Sequence, residues 1–146
     1  RGSNVTPGYW QRPEANEEAF VGDWLRSGDI GRKDEEGYIY IDDRIKDMYI
    51  SGGENVYPAE VENVLYMLPQ IAEVAVVGLP DPKWGEIGCA VVVLKEGEQL
   101  DLETMLEHCS GHLARYKHPG RLEIQTELPR NATGKVLKYK IRENLE

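Results

Sequence analysis

The sequence predicts an α+β domain, a small three-stranded sheet with helices packed against it. Apolar residues recur at helical spacing in "AEVENVLYMLP", and two runs, "EVAVVGL" at 73–79 and "CAVVVLKEG" at 89–97, have the length and β-branched content of strands. Along the chain these patterns run strand, helix, two strands, helix, strand, helix, which suits helices segregated against a compact sheet.

Each element has a local cause. The opening "RGSNVTPGYWQRPEANEEAF" carries turn formers and few periodic apolar residues, so it has to lie on some other surface. "EGYIYIDDR" alternates Tyr38, Ile39, Tyr40 and Ile41 behind a "DEEG" turn, which predicts a β-hairpin strand. Pro58 suits the first position of a helix that places Val61, Val64, Leu65 and Leu68 on one side, and Pro69 ends it. "PDPKWGEIG" is expected to be the loop between the two central strands. Asp101 is placed to cap a helix carrying Leu102, Met105, Leu106 and Leu113. "RLEIQTELP" at 121–129 is the third strand, and "RNATGKV" turns into a last helix.

Composition narrows the function classes. A hydrophobic content of 40% with 29% charged residues is that of a globular chain of one domain's length. No apolar run approaches the roughly 20 residues that span a bilayer. A net charge of −9 argues against nucleic acid as a partner. Cys89 and Cys109 lack CxxC spacing and read as buried small hydrophobes in a reducing, cytoplasmic setting. His108 and His112 stand four apart without further ligands beside them, so solvated helix residues are the better reading than a zinc site. The charge is uneven: residues 14–62 hold 14 acidic and 5 basic side chains, and residues 115–142 hold 8 basic and 2 acidic. A basic end on an acidic chain suits either a polyanionic ligand or a solvated basic helix.

Three islands carry more polarity or glycine than packing requires. In "WLRSGDIG", Gly28 permits a tight turn that exposes the Asp29 carboxylate, an acceptor suited to ribose hydroxyls; an ordinary Asx turn is the plainer alternative. In "DDRIKDMYISGGENVYPAEVE", Arg44 offers a fork of donors and Gly52-Gly53 let a backbone approach a ligand closely. Lys46 and Asp47 fall at a junction where a hinge would absorb dihedral change, although a charged surface turn looks the same. In "LPRNATGKVLKYKIRE", the "TGK" fails the phosphate-loop pattern, because Val136 follows Lys135 and no glycine stands at 129. Lys135 is nonetheless a flexible cation just after a glycine turn, where it can meet a phosphoryl group or carboxylate.

Taken in order, "GYWQRPE", "SGDIGRKDEEGYIYIDDRIKDMYISGGENVYPAEVE", "GLPDPKWGE" and "ELPRNATGKVLK" resemble the adenylate-forming superfamily, acyl-CoA synthetases in particular. The resemblance covers nearly the whole chain. It implies that residues 1–43 are the closing segment of a larger N-terminal domain that is missing here, and that residues 44–146 are the small mobile C-terminal domain. It also implies that the piece alone is inactive and that residues 1–43 are poorly ordered without that larger surface.

The implied chemistry is activation of a carboxylic acid, a fatty acid by overall similarity, with ATP and Mg2+ to acyl-AMP, then transfer to coenzyme A after the C-terminal domain rotates. By resemblance, Asp29 binds the ribose hydroxyls with Arg44 assisting, Lys135 bridges carboxylate and phosphate oxygens, and Lys46 is the hinge. The loop of Gly52, Gly53 and Glu54 lines the tunnel for the thiol arm, Trp84 contacts coenzyme A, and Lys117 and Arg121 face its phosphates. Two positions depart from the usual pattern: Ser27 where threonine is common, and Lys46 where many relatives have aspartate. Competing readings are an enzyme that loads a carrier-protein thiol, an oxidising relative of the luciferase kind, and a non-catalytic nucleotide- or coenzyme-binding module.

Overall fold

The computed structural model describes residues 2–146. Its first part is built of short pieces. Helix α1 (Pro13–Ala19), opened by proline, leads into two antiparallel ribbons. The first pairs β1 (Phe20–Val21) with β2 (Trp24–Leu25), and the second pairs β3 (Asp29–Lys33) with β4 (Ile39–Arg44). The expected hairpin is therefore present. Its turn closes where Asp34 Oδ1 accepts the Tyr38 N–H at 2.8 Å and Gly37 adopts a φ of +96°.

The remainder forms β5 (Tyr49–Ser51), β6 (Glu54–Val56), α2 (Pro58–Leu65), β7 (Ile71–Asp81), β8 (Gly85–Leu94), α3 (Leu102–Ser110), a 3-10 turn (Arg115–Lys117), β9 (Arg121–Ile124) and α4 (Lys138–Leu145). The α+β expectation holds, but the sheet has five strands where three were expected. Strands β7, β8 and β9 are the predicted three. The hairpin β5–β6 adds two more, joined through Ser51 opposite Gly85 of β8. Three-residue strands flanked by charge leave no alternation to read. Their turn was visible only as a pair of glycines, at φ of +60° and +89°, the values a two-residue hairpin turn needs.

β7 and β8 are also longer than expected, pairing from Ile71↔Leu94 to Asp81↔Gly85. The predicted loop "PDPKWGEIG" shrinks to residues 82–84, tied down by Asp81 Oδ1, which accepts the N–H of Lys83 (2.9 Å) and Trp84 (2.8 Å). β9 runs parallel to β8, Cys89↔Arg121 through Val92↔Ile124, which requires the crossover that α3 supplies.

Both faces of the β7–β8 pair are covered, which explains their nearly unbroken apolar runs. Val74, Val76, Ala90 and Val92 face α2 and α3, with Val61, Leu65, Met105 and Cys109. Ala75, Val77, Leu79, Cys89 and Val91 face Leu128 and Ile141, the latter on α4. The two cysteines thus lie on opposite faces, unpaired and buried, and burial pushes the Cys89 thiol up to about 11. The outer edge of β7 is closed by α2: Glu62 Oε1 accepts the Val76 N–H at 2.7 Å and Tyr66 Oη accepts the Val74 N–H at 3.4 Å. Glu62 also holds Lys138 Nζ at 2.7 Å, so one carboxylate joins α2, β7 and α4. No described helix is long and apolar enough to cross a membrane.

Candidate functional site

Asp29 and Arg44 come together because β3 and β4 pair them directly, Asp29↔Arg44. Gly28, at φ +75° with open space on its Cβ side, makes the turn that presents Asp29, and the Asp29 N–H donates to Ser27 Oγ at 3.2 Å. Arg44 Nε lies 3.4 Å from Asp29 Oδ1. The pair sits at the mouth of a groove of about 960 Å³ between α1 and the end of the hairpin. Arg12, Arg26, Arg44 and Lys46 line it against only Glu18 and Asp29, a positive balance on an acidic chain. A positive lining of this kind suits an anionic ligand, and Asp29 places a hydrogen-bond acceptor beside it. Lys46, singled out as a hinge, shares this groove.

A second cluster forms at the near end of the sheet. The Gly52-Gly53 turn lies against Trp84: the Gly52 N–H donates to the Trp84 carbonyl at 2.9 Å, and a Cβ on Gly52 would come within 3.0 Å of the indole. Trp84 keeps 49% of its surface exposed, with Lys83 Nζ 4.7 Å from the ring centroid. Glu54 closes the turn opposite Ser51 and is exposed. Under this cluster stands a device that no local pattern announced. Gly78 and Gly88 are register partners, and the buried Tyr49 ring fills the space their missing side chains leave. A Cβ would meet Tyr49 at 2.4 Å from Gly78 and at 2.2 Å from Gly88. Burial, with Glu86 nearby, holds the Tyr49 hydroxyl in its protonated form. The carboxylate of Glu86 accepts the Ile50 N–H at 2.9 Å, pinning the hairpin from its other side.

Lys117 and Arg121 do not join that cluster as free cations. Lys117 Nζ is held by both oxygens of Glu60, at 2.6 and 2.7 Å, and that hydrogen bonding raises its pKa. Arg121 Nε donates to Glu123 at 2.7 Å. Its register partner Cys89 is four residues along β8 from Gly85, about 13 Å at strand spacing.

Lys135 rides on a rigid turn. Asn131 Oδ1 accepts the Thr133 N–H (3.0 Å), the Thr133 hydroxyl (2.8 Å) and the Lys135 N–H (2.9 Å), and Gly134 takes φ +84°. Arg130 clamps the turn, donating to the Gly134 carbonyl at 2.6 Å and to the Glu73 carboxylate. The Lys135 side chain is exposed and makes no ion pair among the described residues, while the basic residues to either side of it, Arg130 and Lys138, are both paired. Glu73, the carboxylate that reaches this turn, is held by Arg130. Among the described residues no three His, Cys, Asp or Glu side chains converge as a metal site. His108 instead places Nε2 2.9 Å from the Val64 carbonyl.

Comparison with known proteins finds relatives for nearly the whole chain. The family model for the AMP-binding enzyme C-terminal domain matches residues 60–135. A long-chain-fatty-acid–CoA ligase of Mycobacterium tuberculosis is 55% identical over 92% of this chain and 27% of its own. A feruloyl-CoA synthase of an Amycolatopsis species is 49% identical over 97% of this chain and 29% of its own. Among solved structures, the o-succinylbenzoate CoA synthetase of Bacillus subtilis in complex with its acyl-adenylate intermediate superposes at a TM-score of 0.91, with 42% identity, over 97% of this chain and 29% of that one. The same enzyme with ATP and magnesium superposes at 0.87, with 41% identity, over 96% and 29%. The chain thus spans less than a third of the length of these relatives.

Proposed function

The chain belongs to the family of AMP-binding enzyme C-terminal domains, and on that premise we propose that it is the C-terminal part of an acyl-CoA synthetase. Such an enzyme activates a carboxylic acid with ATP to acyl-AMP, releasing pyrophosphate, and passes the acyl group to coenzyme A. The observation that carries the reading is the Asp29–Arg44 pair at the mouth of a positively lined groove. In it, Asp29 accepts from the ribose hydroxyls and Arg44 supports the nucleotide beside it. Magnesium enters with the phosphates of ATP.

Lys135 supplies the cation of the first step. A carboxylate oxygen attacks the α-phosphorus, charge gathers on the oxygens between them, and a preorganised ammonium group there is worth about 3 kcal/mol. The chain then turns about Lys46, and the Gly52-Gly53 turn with Glu54 and the half-exposed Trp84 face the thiol arm. Lys117 and Arg121 reach the phosphates of the coenzyme only by exchanging Glu60 and Glu123 for them, so their share is a screened, long-range attraction.

Residues 1–43 belong, in this reading, to the end of a larger N-terminal domain. The exposed Tyr9, Trp10, Val21, Ile39 and Ile41 support it, because they are apolar groups that the rest of the chain does not cover. A fatty acid as substrate rests on the 55% identity with the mycobacterial ligase, while relatives acting on feruloyl and succinylbenzoyl groups keep the class of acid open. A cytoplasmic location fits two free thiols kept on opposite faces of a sheet.

The test uses the longer enzyme carrying Lys135→Ala. Pyrophosphate release from acid and ATP should fall about 100-fold, while thioester formation from supplied acyl-adenylate and coenzyme A persists. Survival of both half-reactions would reduce Lys135 to a surface residue and favour a binding module.

A further inference from the structure

One side chain ties the two parts of the chain together across Lys46. Asp43, in β4, accepts the Ala59 N–H at Oδ2 (2.8 Å) and the Arg44 N–H at Oδ1 (2.7 Å). Helix α2 has no cap of its own: Tyr57 stands at its N-cap without a side-chain hydrogen bond, and Pro58 opens it. Asp43 therefore does from 16 residues upstream what an adjacent Ser or Asp does in most helices. It satisfies an orphan N–H and sets a negative charge at the positive end of the helix.

The contact has an unusual place. α2 is fastened to the sheet by Val61, Val64 and Leu65 and by Glu62, so its N-terminus moves with the C-terminal body. Asp43 belongs to the hairpin that carries Asp29 and Arg44. Only residues 45–48 separate β4 from β5, and Lys46 is among them. Packing of β4 against α2 is the main contact between the two parts.

We propose that Asp43 is a positioning residue. Its bond to α2 holds the arrangement in which the first half-reaction occurs, and it breaks when the C-terminal part turns about Lys46. The arrangement it holds is the one shared, at a TM-score of 0.87, with the relative that contains ATP and magnesium, ATP being consumed in the first half-reaction alone. The strength of this one contact then sets the balance between adenylation and thioester formation. The inference rests on the two-step reading above. It adds a residue that touches neither nucleotide nor thiol and acts through α2.

A merely structural cap and a latch differ in what their loss does to the two half-reactions. In the longer enzyme, Asp43→Ala should slow pyrophosphate release about fivefold, the typical weight of a helix cap, and leave thioester formation from supplied acyl-adenylate unchanged or faster. Asp43→Asn keeps an acceptor for the Ala59 N–H and should recover most of the first step. If Asp43→Ala does not fold, Asp43→Asn carries the test through the same split at smaller size, with a thermal melt showing that its fold is intact. Equal loss in both half-reactions, or none in either, overturns the latch. Lys135→Ala in the same assays keeps the two ideas apart. A flat Asp43 series beside a Lys135→Ala enzyme that has lost adenylation overturns the latch alone. Intact adenylation in Lys135→Ala overturns the reading beneath it.

Discussion

Ahead of Tyr49 no described residue is buried, whereas β7 and β8 are sealed on both faces. Yet the two regions draw on the same kinds of residue. Trp10 is 86% exposed, and Ile39 and Ile41 stand exposed on their ribbon, while Val74 to Val77 alternate between two packed layers. Composition cannot separate these regions; the supply of a second surface does. A two-stranded ribbon has no opposing layer of its own, so its apolar side chains are spent only when another body arrives. The region from Tyr49 onward brings its own layers, α2 and α3 on one face and α4 on the other.

Substitutions can break this contrast or sharpen it. Tyr49→Ala should have the largest effect, about 4 kcal/mol of unfolding free energy in urea titration of this chain. It empties the space that Gly78 and Gly88 leave and frees the hairpin carrying Gly52 and Gly53. A loss below about 1 kcal/mol would mean that the glycine pair is not a socket. Lys138→Met comes next, at about 2 kcal/mol. Glu62 would remain largely sequestered without its cation, although 16% exposure lets water soften the penalty. An unchanged or raised stability would show that the ion pair contributes nothing net.

Asp101 gives a smaller effect with a definite pH signature. Its carboxylate accepts the Thr104 N–H at 2.8 Å, and that bond lowers its pKa below the usual 3.8. A carboxylate whose folded pKa is depressed stabilises the fold above the unfolded pKa and loses that contribution as pH falls through the folded one. Asp101→Ala should therefore lower the melting temperature at pH 7, with the difference from wild type closing below about pH 4. A difference that persists at pH 2 would assign the cap to something other than the charge. Smallest of all should be Trp10→Ala, within about 0.5 kcal/mol in this chain, because so exposed a ring has little to lose. A cost above 1 kcal/mol would place a covering surface within these 146 residues and weaken the case for a larger domain.

Much of the architecture was legible locally. Pro58, Pro69 and the valine and leucine spacing announced α2, Asp101 announced α3, and the apolar runs announced β7 and β8. The strand ends were not legible, because Pro80, Glu86 and Gly85 extend a β-ladder only when the partner strand is present to bond them. The hairpin β5–β6 was hidden for the same reason: three residues a side are too few to show a period. At the candidate site, the residue types were readable but not their company. Asp29 and Arg44 were singled out separately, and the register of β3 with β4 makes them a pair. Lys117 was marked for a phosphate, and only the fold shows Glu60 already holding it.

By itself, the sequence determined the main helices and the central strands, the class of fold and the family, because caps, turns and hydrophobic periods act over a few residues. Tertiary structure alone decided which charges are spent and which are free. Arg130, Lys117 and Lys138 find carboxylates at Glu73, Glu60 and Glu62, all more than fifty positions away, and Lys135 finds none among the described residues. Ion pairing depends on distance in space, and a chain brings distant positions together only by folding.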